Sequence, residues 1–489
     1  MTARPHNGFP RRNAGGKERS KDTRPFIVND RRLREDPGDL LVASIGMVAL
    51  ALAVGFAVGL AVFALMNGST WLTGLLWHGL GDAVGVSWFP LAICTIGGAV
   101  IGVWTWWSND RVRPLEEVLG EFRKTGSYRT QGALKPVVTF LLPLVFGGSI
   151  GFEAGLTGLI TAGCCWIRDK LKAAGLRWAA VADVTIAASF AAIFGTPLAG
   201  IVAGAESSPD NDSDLLQEPG INRHHAPSSA KAATTNDNGT RQTMEEPNVD
   251  EYNMRRGVKI VLYTAAAFGA FGGIALFSWM FGTTGGLPRF EAITATRAQL
   301  LWTLPCLVVA YVMALFYHGS NRLFGGISAQ LGESNTSTIV KPIIAGVVMG
   351  AVAMALPYVL FPGEVQSEEL MTSWTTWTAI ALLATGLLKA TITPMCLNMG
   401  WVGGNFFPSI FAGVAAGYGL AAITGTDPML MVTVTTTAFL AGVVRKPLLV
   451  LAILFLCFPA EGLLWMGLAA IIGAALPIPR ILLAPQQTN

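Results

Sequence analysis

The sequence has little charge for its length. Only 13% of its 489 residues are Asp, Glu, Lys or Arg, about half the share that is usual in soluble domains. The charges are concentrated in residues 1–39, 107–135, 166–177 and 206–259, and the stretches between them are apolar and long enough to cross a bilayer. This pattern excludes an ordinary soluble protein and predicts an all-α, polytopic membrane protein.

Residues that commonly ligate metals or form disulfides are also scarce. The six cysteines, Cys94, Cys164, Cys165, Cys306, Cys396 and Cys457, lie in apolar segments without a CxxC spacing or a Cys/His pair. Buried free cysteines are common as small packing residues, so we expect no disulfide framework and no metal site. We likewise expect no cofactor and no nucleic-acid partner.

Several apolar segments are interrupted by glycine and proline. The segment 134–165 contains Pro136, Pro143 and paired glycines, and residues 386–413 show the same composition. Helix breaks at membrane depth are tolerated only where protein or a water-filled cavity satisfies the backbone, and they indicate a transporter-type site. The predicted segments are 40–66, 86–107, 134–165, 179–205, 258–282, 299–317, 338–361, 376–398, 404–424, 429–443 and 446–476.

Polar stretches divide the chain into two membrane repeats. We predict a polar tail over 1–39, a first repeat over 40–205, a disordered linker over 206–257, a second repeat over 258–480 and a short tail over 481–489. Residues 1–38 contain ten Lys and Arg against five Asp and Glu, which favours a cytoplasmic N-terminus. We therefore expect a multi-pass protein of the cell membrane.

The two repeats share features in the same order. Lys135, Thr139 and Pro143 precede one glycine pair, and Lys389, Thr393 and Pro394 precede another. The stretch 194-FGTPLAGIVAG-204 is also echoed by 442-GVVRKPLLVLAIL-454. Weak internal symmetry with broken helices predicts two repeats of inverted topology, with a site at their interface.

One carboxylate lies within an apolar stretch, Glu153 in 147-GGSIGFEAGLTG-158. The glycines predict the entry to a helix, and the first turn of a helix attracts anions. An ionisable residue inside a membrane is a functional candidate. We expect the Glu153 carboxylate to fill an anion site and to leave it when protonated; the alternative is a structural helix cap.

A second helix entry is predicted at 403-GGNFFPSIFAG-413. Pro408 suits the first turn of a helix, and the preceding glycines allow a sharp bend. The N–H groups of Asn405, Phe406 and Phe407 would then face a bound ion, with aromatic rings excluding water. An ordinary Gly-Pro break is the alternative.

Three motifs resemble those of the CLC family of chloride channels and chloride/proton antiporters. Gly404-Asn405-Phe406-Phe407-Pro408 matches the family's G-x-F-x-P signature. Gly151-Phe152-Glu153-Ala154-Gly155 is similar to its G-(K/R)-E-G-P signature, and Phe194–Ile201 is similar to its F-N-A-P-L-A-G segment. The resemblance covers roughly residues 40–480 without the linker.

This resemblance implies a homodimer in a lipid bilayer, with one pathway for chloride or another small inorganic anion in each subunit. Glu153 would be the gate, and Gly151, Phe152, Gly404, Asn405, Phe406 and Phe407 would surround the bound anion. Family members of this kind transport ions, so we do not expect an enzyme.

The sequence departs from the family at several positions. Read without gaps, Arg111 stands at the position of the family's anion-coordinating Ser, whereas a shifted alignment would give that role to Ser108. Arg111 either supplies a charge at the inner vestibule or merely faces water. No Tyr follows Tyr418, so the family's coordinating Tyr is missing. Ser207 stands where antiporters carry an inner Glu, which predicts weak or absent proton coupling, but the neighbouring Glu206 could act as the proton site of an antiporter.

Two other classes of protein share individual features with this sequence. Gly147-Gly148-Ser149-Ile150-Gly151 fits the G-x-S-x-G motif of serine hydrolases, which requires a His partner. A secondary transporter for a different substrate would also use broken helices, but it favours more charges within the membrane than Lys135, Lys389, Arg445 and Lys446, which we place near segment edges.

Overall fold

The computed structural model describes residues 37–108, 134–173, 181–207, 256–282, 287–294 and 301–482. These residues form helices with short connections, and the single β-type contact among them is an isolated bridge between Gly151 and Gly404. The predicted all-α class is therefore confirmed. Arg111, residues 1–36 and residues 208–255 of the predicted linker lie outside the described residues.

The helices follow the division of the chain into two halves. Those of the first half are α1 (Pro37–Gly74), which continues through a π-helical stretch (Leu75–Leu80) into α2 (Gly81–Val84), then α3 (Phe89–Ser108), α4 (Leu134–Val145), α5 (Glu153–Ala173), α6 (Val181–Phe194) and α7 (Pro197–Ser207). Those of the second half are α8 (Arg256–Phe281), α9 (Thr303–Leu331), α10 (Asn335–Ala353), α11 (Glu364–Ser373), α12 (Ala379–Asn398), α13 (Phe406–Thr424), α14 (Pro428–Val444), α15 (Pro447–Leu454) and α16 (Leu463–Ala475).

Local sequence explains where several helices begin. Pro197, Pro428 and Pro447 are the first residues of α7, α14 and α15, where the missing N–H of proline costs no hydrogen bond. The Asp427 side chain caps α14 by accepting a hydrogen bond from Leu430 N–H at 2.9 Å. Pro197 and Pro447 also lie in the two similar stretches, 194–204 and 442–454, that the sequence comparison of the two halves pairs.

Seven helices of the described residues are long and apolar enough to cross a bilayer, as expected for a polytopic membrane protein. Their apolar side chains are extensively exposed in the isolated chain, with Trp279 82% and Ile380 79% exposed. Lipid or another protein surface must cover such side chains. The candidate spans are Ser44–Val84, Phe89–Ser108, Gly257–Phe281, Thr303–Leu331, Asn335–Ala353, Ala379–Asn398 and Phe406–Thr424.

Some predicted segments differ in extent from the observed helices. The segment 179–205 is two helices, α6 and α7, separated at Gly195 with φ +64°, and 446–476 is likewise divided between α15 and α16. Hydropathy does not register these breaks, because the loops are as apolar as the helices. In the opposite sense, α9 continues to Leu331, past the predicted end at 317, because polar side chains end an apolar run without ending a helix.

The second half repeats the packing of the first half. Helix α1 packs against α6 and α8, and its counterpart α9 packs against α14 and α16. The counterparts α3 and α10 pack against each other and run antiparallel, since a Cβ added to Gly98 would meet the backbone of Pro342 whereas one added to Gly350 would meet that of Leu91. The predicted inverted relation of the two repeats follows from this antiparallel pair.

Candidate functional site

The two broken-helix loops meet in the middle of the molecule. One loop joins α4 to α5 and the other joins α12 to α13. Gly151 N–H donates to Gly404 O with an N···O distance of 2.7 Å, and Gly404 N–H donates to Gly151 O at 2.8 Å. Gly151 and Gly404 were expected to surround a bound anion, and their N–H groups are used instead to hold the two loops together.

The bridge places Glu153 against the N-terminus of α13. Glu153 is the first residue of α5 and is 0% exposed. Its Oε1 accepts hydrogen bonds from Phe406 N–H and from Phe407 N–H, the latter with an N···O distance of 3.3 Å. Free N–H groups and the helix dipole make such a terminus favourable for negative charge, so the carboxylate lies where an anion would be most stabilised.

Gly151 and Gly404 leave the space that this carboxylate fills. A Cβ added to Gly404 would lie 2.0 Å from Glu153 Cδ, and one added to Gly151 would lie 2.0 Å from Glu153 Oε2. Any larger residue at either position would have to displace the carboxylate. The two glycines thus allow the backbone to approach the Glu153 carboxylate closely.

Phenylalanine rings pack together beside the residues that hold the carboxylate. The ring of Phe407 meets that of Phe152 edge-on, with centroids 5.8 Å apart, and stacks on that of Phe194 at 5.4 Å. Phe406 also contacts Phe194, at 5.6 Å. All four rings are buried, and an apolar surrounding strengthens the interaction between the carboxylate and the helix terminus. Phe194 was missed as a site residue, although it opens the FGTPLAGI segment.

Lys389 is a buried cation and does not lie near a segment edge as predicted. It lies in the interior of α12 and is 0% exposed. Its Nζ donates hydrogen bonds to Leu360 O and Phe361 O, both at 2.8 Å, and more weakly to the oxygens of Tyr358 and Val359 at 3.3 Å. The ammonium therefore holds the turn before α11 against α12. The sequence contains one indication that Lys389 has a structural role, because Lys135 occupies the matching position in the first repeat.

A second acidic residue, Glu364, lies beside this group and was not recognised in the sequence. It begins α11, a short helix outside the membrane-length spans, and its Oε2 is buried without a hydrogen-bond partner among the described residues. It is close enough to Glu153 and Lys389 to interact with both electrostatically. Burial raises the pKa of Glu364 to about 8, Glu153 and Glu368 add to the rise, and Lys389 opposes it.

The remaining predicted site residues lie further from the carboxylate group. Asn405 directs its side chain to α9, where its Nδ2 donates to Tyr317 Oη at 3.0 Å. Glu206, in the last turn of α7, forms an ion pair with Lys446, with 3.0 Å between Oε2 and Nζ. Arg111 lies outside the described residues.

Ser149, the centre of the hydrolase motif, is paired with a threonine. Its Oγ lies 3.2 Å from Thr393 Oγ1, and both side chains are buried. His318 is engaged elsewhere, with its Nε2 3.1 Å from Gly442 O. The contact between Ser149 and Thr393 therefore joins the first broken-helix loop to α12 and offers no general base to the serine.

Fold and site together define a class of protein. It is a polytopic membrane protein in which two inverted repeats each contribute a broken helix, and the helix entries face one another around a buried carboxylate. The family is indicated by the chain's own second half: residues 243–477 match the family model described as "Voltage gated chloride channel". The resemblance to the CLC family that the motifs indicate is thereby confirmed.

Solved structures show the same fold. A CLC-type fluoride/proton antiporter aligns with 88% of this chain and 94% of its own, at 15% identity and a TM-score of 0.62. A slow cyanobacterial Cl⁻/H⁺ antiporter covers 90% of this chain and 96% of its own, at 16% identity and a TM-score of 0.61. A eukaryotic CLC transporter covers 88% and 70% of the two chains, at 14% identity and a TM-score of 0.58. None of the curated proteins matches the chain.

Proposed function

We propose that this protein carries a small inorganic anion, chloride foremost, across a membrane and that Glu153 gates the pathway. The observation that carries the proposal is the carboxylate of Glu153 on the N–H groups of Phe406 and Phe407, at the first turn of α13. A site that binds a carboxylate through backbone N–H groups is suited to a free anion of similar charge. Carboxylate and anion would therefore compete for one position.

The chemistry of the exchange follows from the charge of the carboxylate. When ionised, Glu153 satisfies the helix terminus and excludes another anion by occupancy and by repulsion. When protonated, it loses most of its attraction to the N–H groups, and an anion replaces it. The Phe152, Phe194 and Phe407 rings pack together beside this position, and apolar surroundings strengthen the attraction between an anion and the N–H groups.

Proton-coupled exchange is the second candidate function. Two of the solved structures with this fold are proton antiporters, one for fluoride and one for chloride. Glu206 is the acidic residue retained beside Ser207, and its carboxylate pairs with Lys446. An exchanger would use Glu206 as its inner proton site, whereas a passive pathway would not depend on it.

The proposal includes the location of the protein, its orientation in the membrane and its oligomeric state. The arginine-rich residues 1–36 favour a cytoplasmic N-terminus in the cell membrane. A homodimer with one pathway in each subunit is supported by the CLC resemblance. Each subunit contains both halves of the site, since Glu153 and the α13 terminus come from the same chain.

The deciding experiment is anion efflux from liposomes that contain the purified protein, with chloride, fluoride and nitrate compared and the external pH recorded. Wild-type protein should release an anion faster than empty liposomes, and Glu153→Gln should release it faster still and with less dependence on pH. Equal efflux from wild-type and protein-free liposomes for all three anions would overturn the proposal and favour a transporter of another substrate.

The same recording separates the two candidate functions. Sustained uphill proton movement during a chloride gradient, abolished by Glu206→Gln, would identify an exchanger. Chloride efflux without uphill proton movement would identify a passive pathway. Glu206→Gln protein should then carry the wild-type flux.

A further inference from the structure

Two buried carboxylate oxygens that come from different repeats lack a hydrogen-bond partner. They are Glu153 Oε2 and Glu364 Oε2, and each is unpartnered among the residues that the structure describes. Asp427, which is also buried, differs: its Oδ1 accepts from Leu430 N–H at 2.9 Å and its Oδ2 from Thr294 N–H at 2.6 Å. A buried carboxylate oxygen without a donor is costly when ionised, so a proton on one of the two acids lowers this cost.

The backbone just before Glu364 packs about one helical turn away from the N–H groups that hold Glu153. Glu364 follows Gly363 directly, and a Cβ added to Gly363 would collide with the Cβ of Phe411 in α13. Phe411 comes one turn, about 5.4 Å along the axis, after Phe407, whose N–H donates to Glu153 Oε1. The two carboxyl groups are therefore close enough to interact electrostatically.

Glu364 also has an exposed part, which Glu153 lacks. Glu153 is 0% exposed, whereas Glu364 is partly exposed and begins a helix in which Glu368 is exposed. The turn before this helix contains Phe361, whose ring lies against Trp77 beside the end of α1. Helix α11 is therefore on the membrane face opposite to the one at which α1 begins, and Glu364 can take up a proton from that side.

The electrostatic surroundings separate the two acids at neutral pH. The charged groups that act on Glu364 are Glu153 of α5, Lys389 of α12 and Glu368 of its own helix, and α13 contributes the Phe411 ring, which does not titrate. Burial raises the pKa of Glu364 to about 8, so this acid is mostly protonated at neutral pH. The first turn of α13 stabilises the ionised form of Glu153 instead. At rest the proton is thus on Glu364 and the negative charge on Glu153.

We propose that Glu364 donates its proton to Glu153 and that this transfer releases the gate from α13. The O–H bond of Glu364 breaks as an O–H bond forms on Glu153, directly or through one water molecule. The negative charge passes to Glu364, where the Lys389 ammonium stabilises it, and the anion takes the place that the neutral Glu153 leaves at Phe406 and Phe407. This donor role rests on the proposed function, to which it adds the source of the proton that opens the gate.

The test removes the acid at position 364 and keeps its shape. Glu364→Gln cannot donate a proton to Glu153. Glu368→Gln is the matched control, because it removes the same charge from the same helix one turn further on, where the side chain is exposed. Chloride efflux from liposomes is measured across a pH series for both variants, in the wild-type protein and in Glu153→Gln.

Glu364→Gln should move the pH of half-maximal efflux lower by about one unit, the size of shift that coupled acids impose on each other, because Glu153 must then gain its proton without the second acid. Glu368→Gln should move it much less, because water and salt screen an exposed charge. In the Glu153→Gln background, Glu364→Gln should change nothing, because that gate needs no proton. Equal efflux in this background also shows that Glu364→Gln protein is folded.

Three results would overturn the proposal. An unchanged pH midpoint in Glu364→Gln would mean that Glu153 obtains its proton elsewhere. Equal shifts in Glu364→Gln and Glu368→Gln would mean that the effect is one of surface charge. A loss of efflux caused by Glu364→Gln in the Glu153→Gln background would mean that Glu364 serves the anion path or folding. Failure of the proposed function is a separate outcome, recognised when Glu153→Gln itself leaves efflux and its pH dependence unchanged.

Discussion

Gly404 has no side chain at a point where the Glu153 carboxylate needs room. An added methyl group would collide with Glu153 Cδ at 2.0 Å and with Cγ at 2.4 Å. Such distances cannot be accommodated by small adjustments, so either the carboxylate or the loop must move. The hydrogen bonds between Gly151 and Gly404 hold the loop in place, which leaves the carboxylate as the group that gives way.

We predict that Gly404→Ala opens the pathway without a change in the charge of the gate. Chloride efflux at neutral pH should rise toward that of Glu153→Ala, and its pH dependence should weaken. The matched control is Gly163→Ala in α5, where an added Cβ meets nothing within 4 Å. Efflux by a folded Gly404→Ala protein that equals wild type at every pH would contradict this geometry.

Glu153 itself gives the second prediction at this scale. Glu153→Gln keeps the shape of the side chain but removes the charge that α13 attracts, so the pathway should stay open and respond weakly to pH. Efflux across a pH series, recorded beside Glu153→Ala, is the measurement. The role of Glu153 as gate would be refuted by wild-type efflux and wild-type pH dependence in both variants.

Lys389 gives a prediction about stability. Lys389→Met should lower the free energy of unfolding by about 3 kcal/mol, because it leaves several buried carbonyl oxygens without a donor. The apparent melting temperature in detergent is the measurement. Lys135→Met is the control at the equivalent position, where the hydrogen bond of the amine within the described part of the chain is long, 3.4 Å to Ser108 O. Equal melting temperatures for the two variants would show that the buried amine contributes little.

At the scale of helices and loops, the turn held by Lys389 connects the two repeats. Phe361 N–H donates to Gly147 O at 3.2 Å, and the Phe361 ring packs edge-on against Trp77 at 5.0 Å. Trp77 in turn donates its indole N–H to Val145 O at 3.0 Å. The loop that precedes Glu153 is therefore supported by second-repeat residues, so a movement of α11 or α12 would change the support of this loop.

The ion pair between α7 and α15 is the element-scale contact most relevant to proton coupling. Glu206 and Lys446 side chains are 25% and 47% exposed, and pairs with this much exposure contribute less than about 1 kcal/mol. We predict that Glu206→Gln leaves the melting temperature within that range. A loss of proton movement in this variant would then report a proton site, whereas a large fall in melting temperature would show that the pair is structural.

At the scale of the whole molecule, many large apolar side chains of the described residues are exposed. An apolar surface of this kind needs lipid, a second copy of the chain, or both. We predict that crosslinking in native membranes captures a dimer and that protease added from the outside does not reach residues 1–36. Capture of monomer alone would contradict the homodimer, and cleavage from outside would contradict the orientation.

The amino-acid pattern was sufficient to predict the all-α membrane class, the inverted repeats, a buried Glu153 at a helix entry and the second helix entry at Phe406. It was insufficient for Lys389, which hydropathy places near a segment edge and the structure places in the interior of α12. It was also insufficient for Glu364, because that residue lies in a polar stretch and is distinguished only by the neighbours that folding brings to it.

What the sequence determined by itself is local in origin. Apolar runs, glycine breaks and proline starts act within a few residues, so they specify which segments enter the membrane and where helices are interrupted. Which N–H groups meet the Glu153 carboxylate was decided by the tertiary structure alone. Phe406 is 253 residues away in the chain, and the Gly151–Gly404 bridge that joins the two loops forms only when both repeats are packed together.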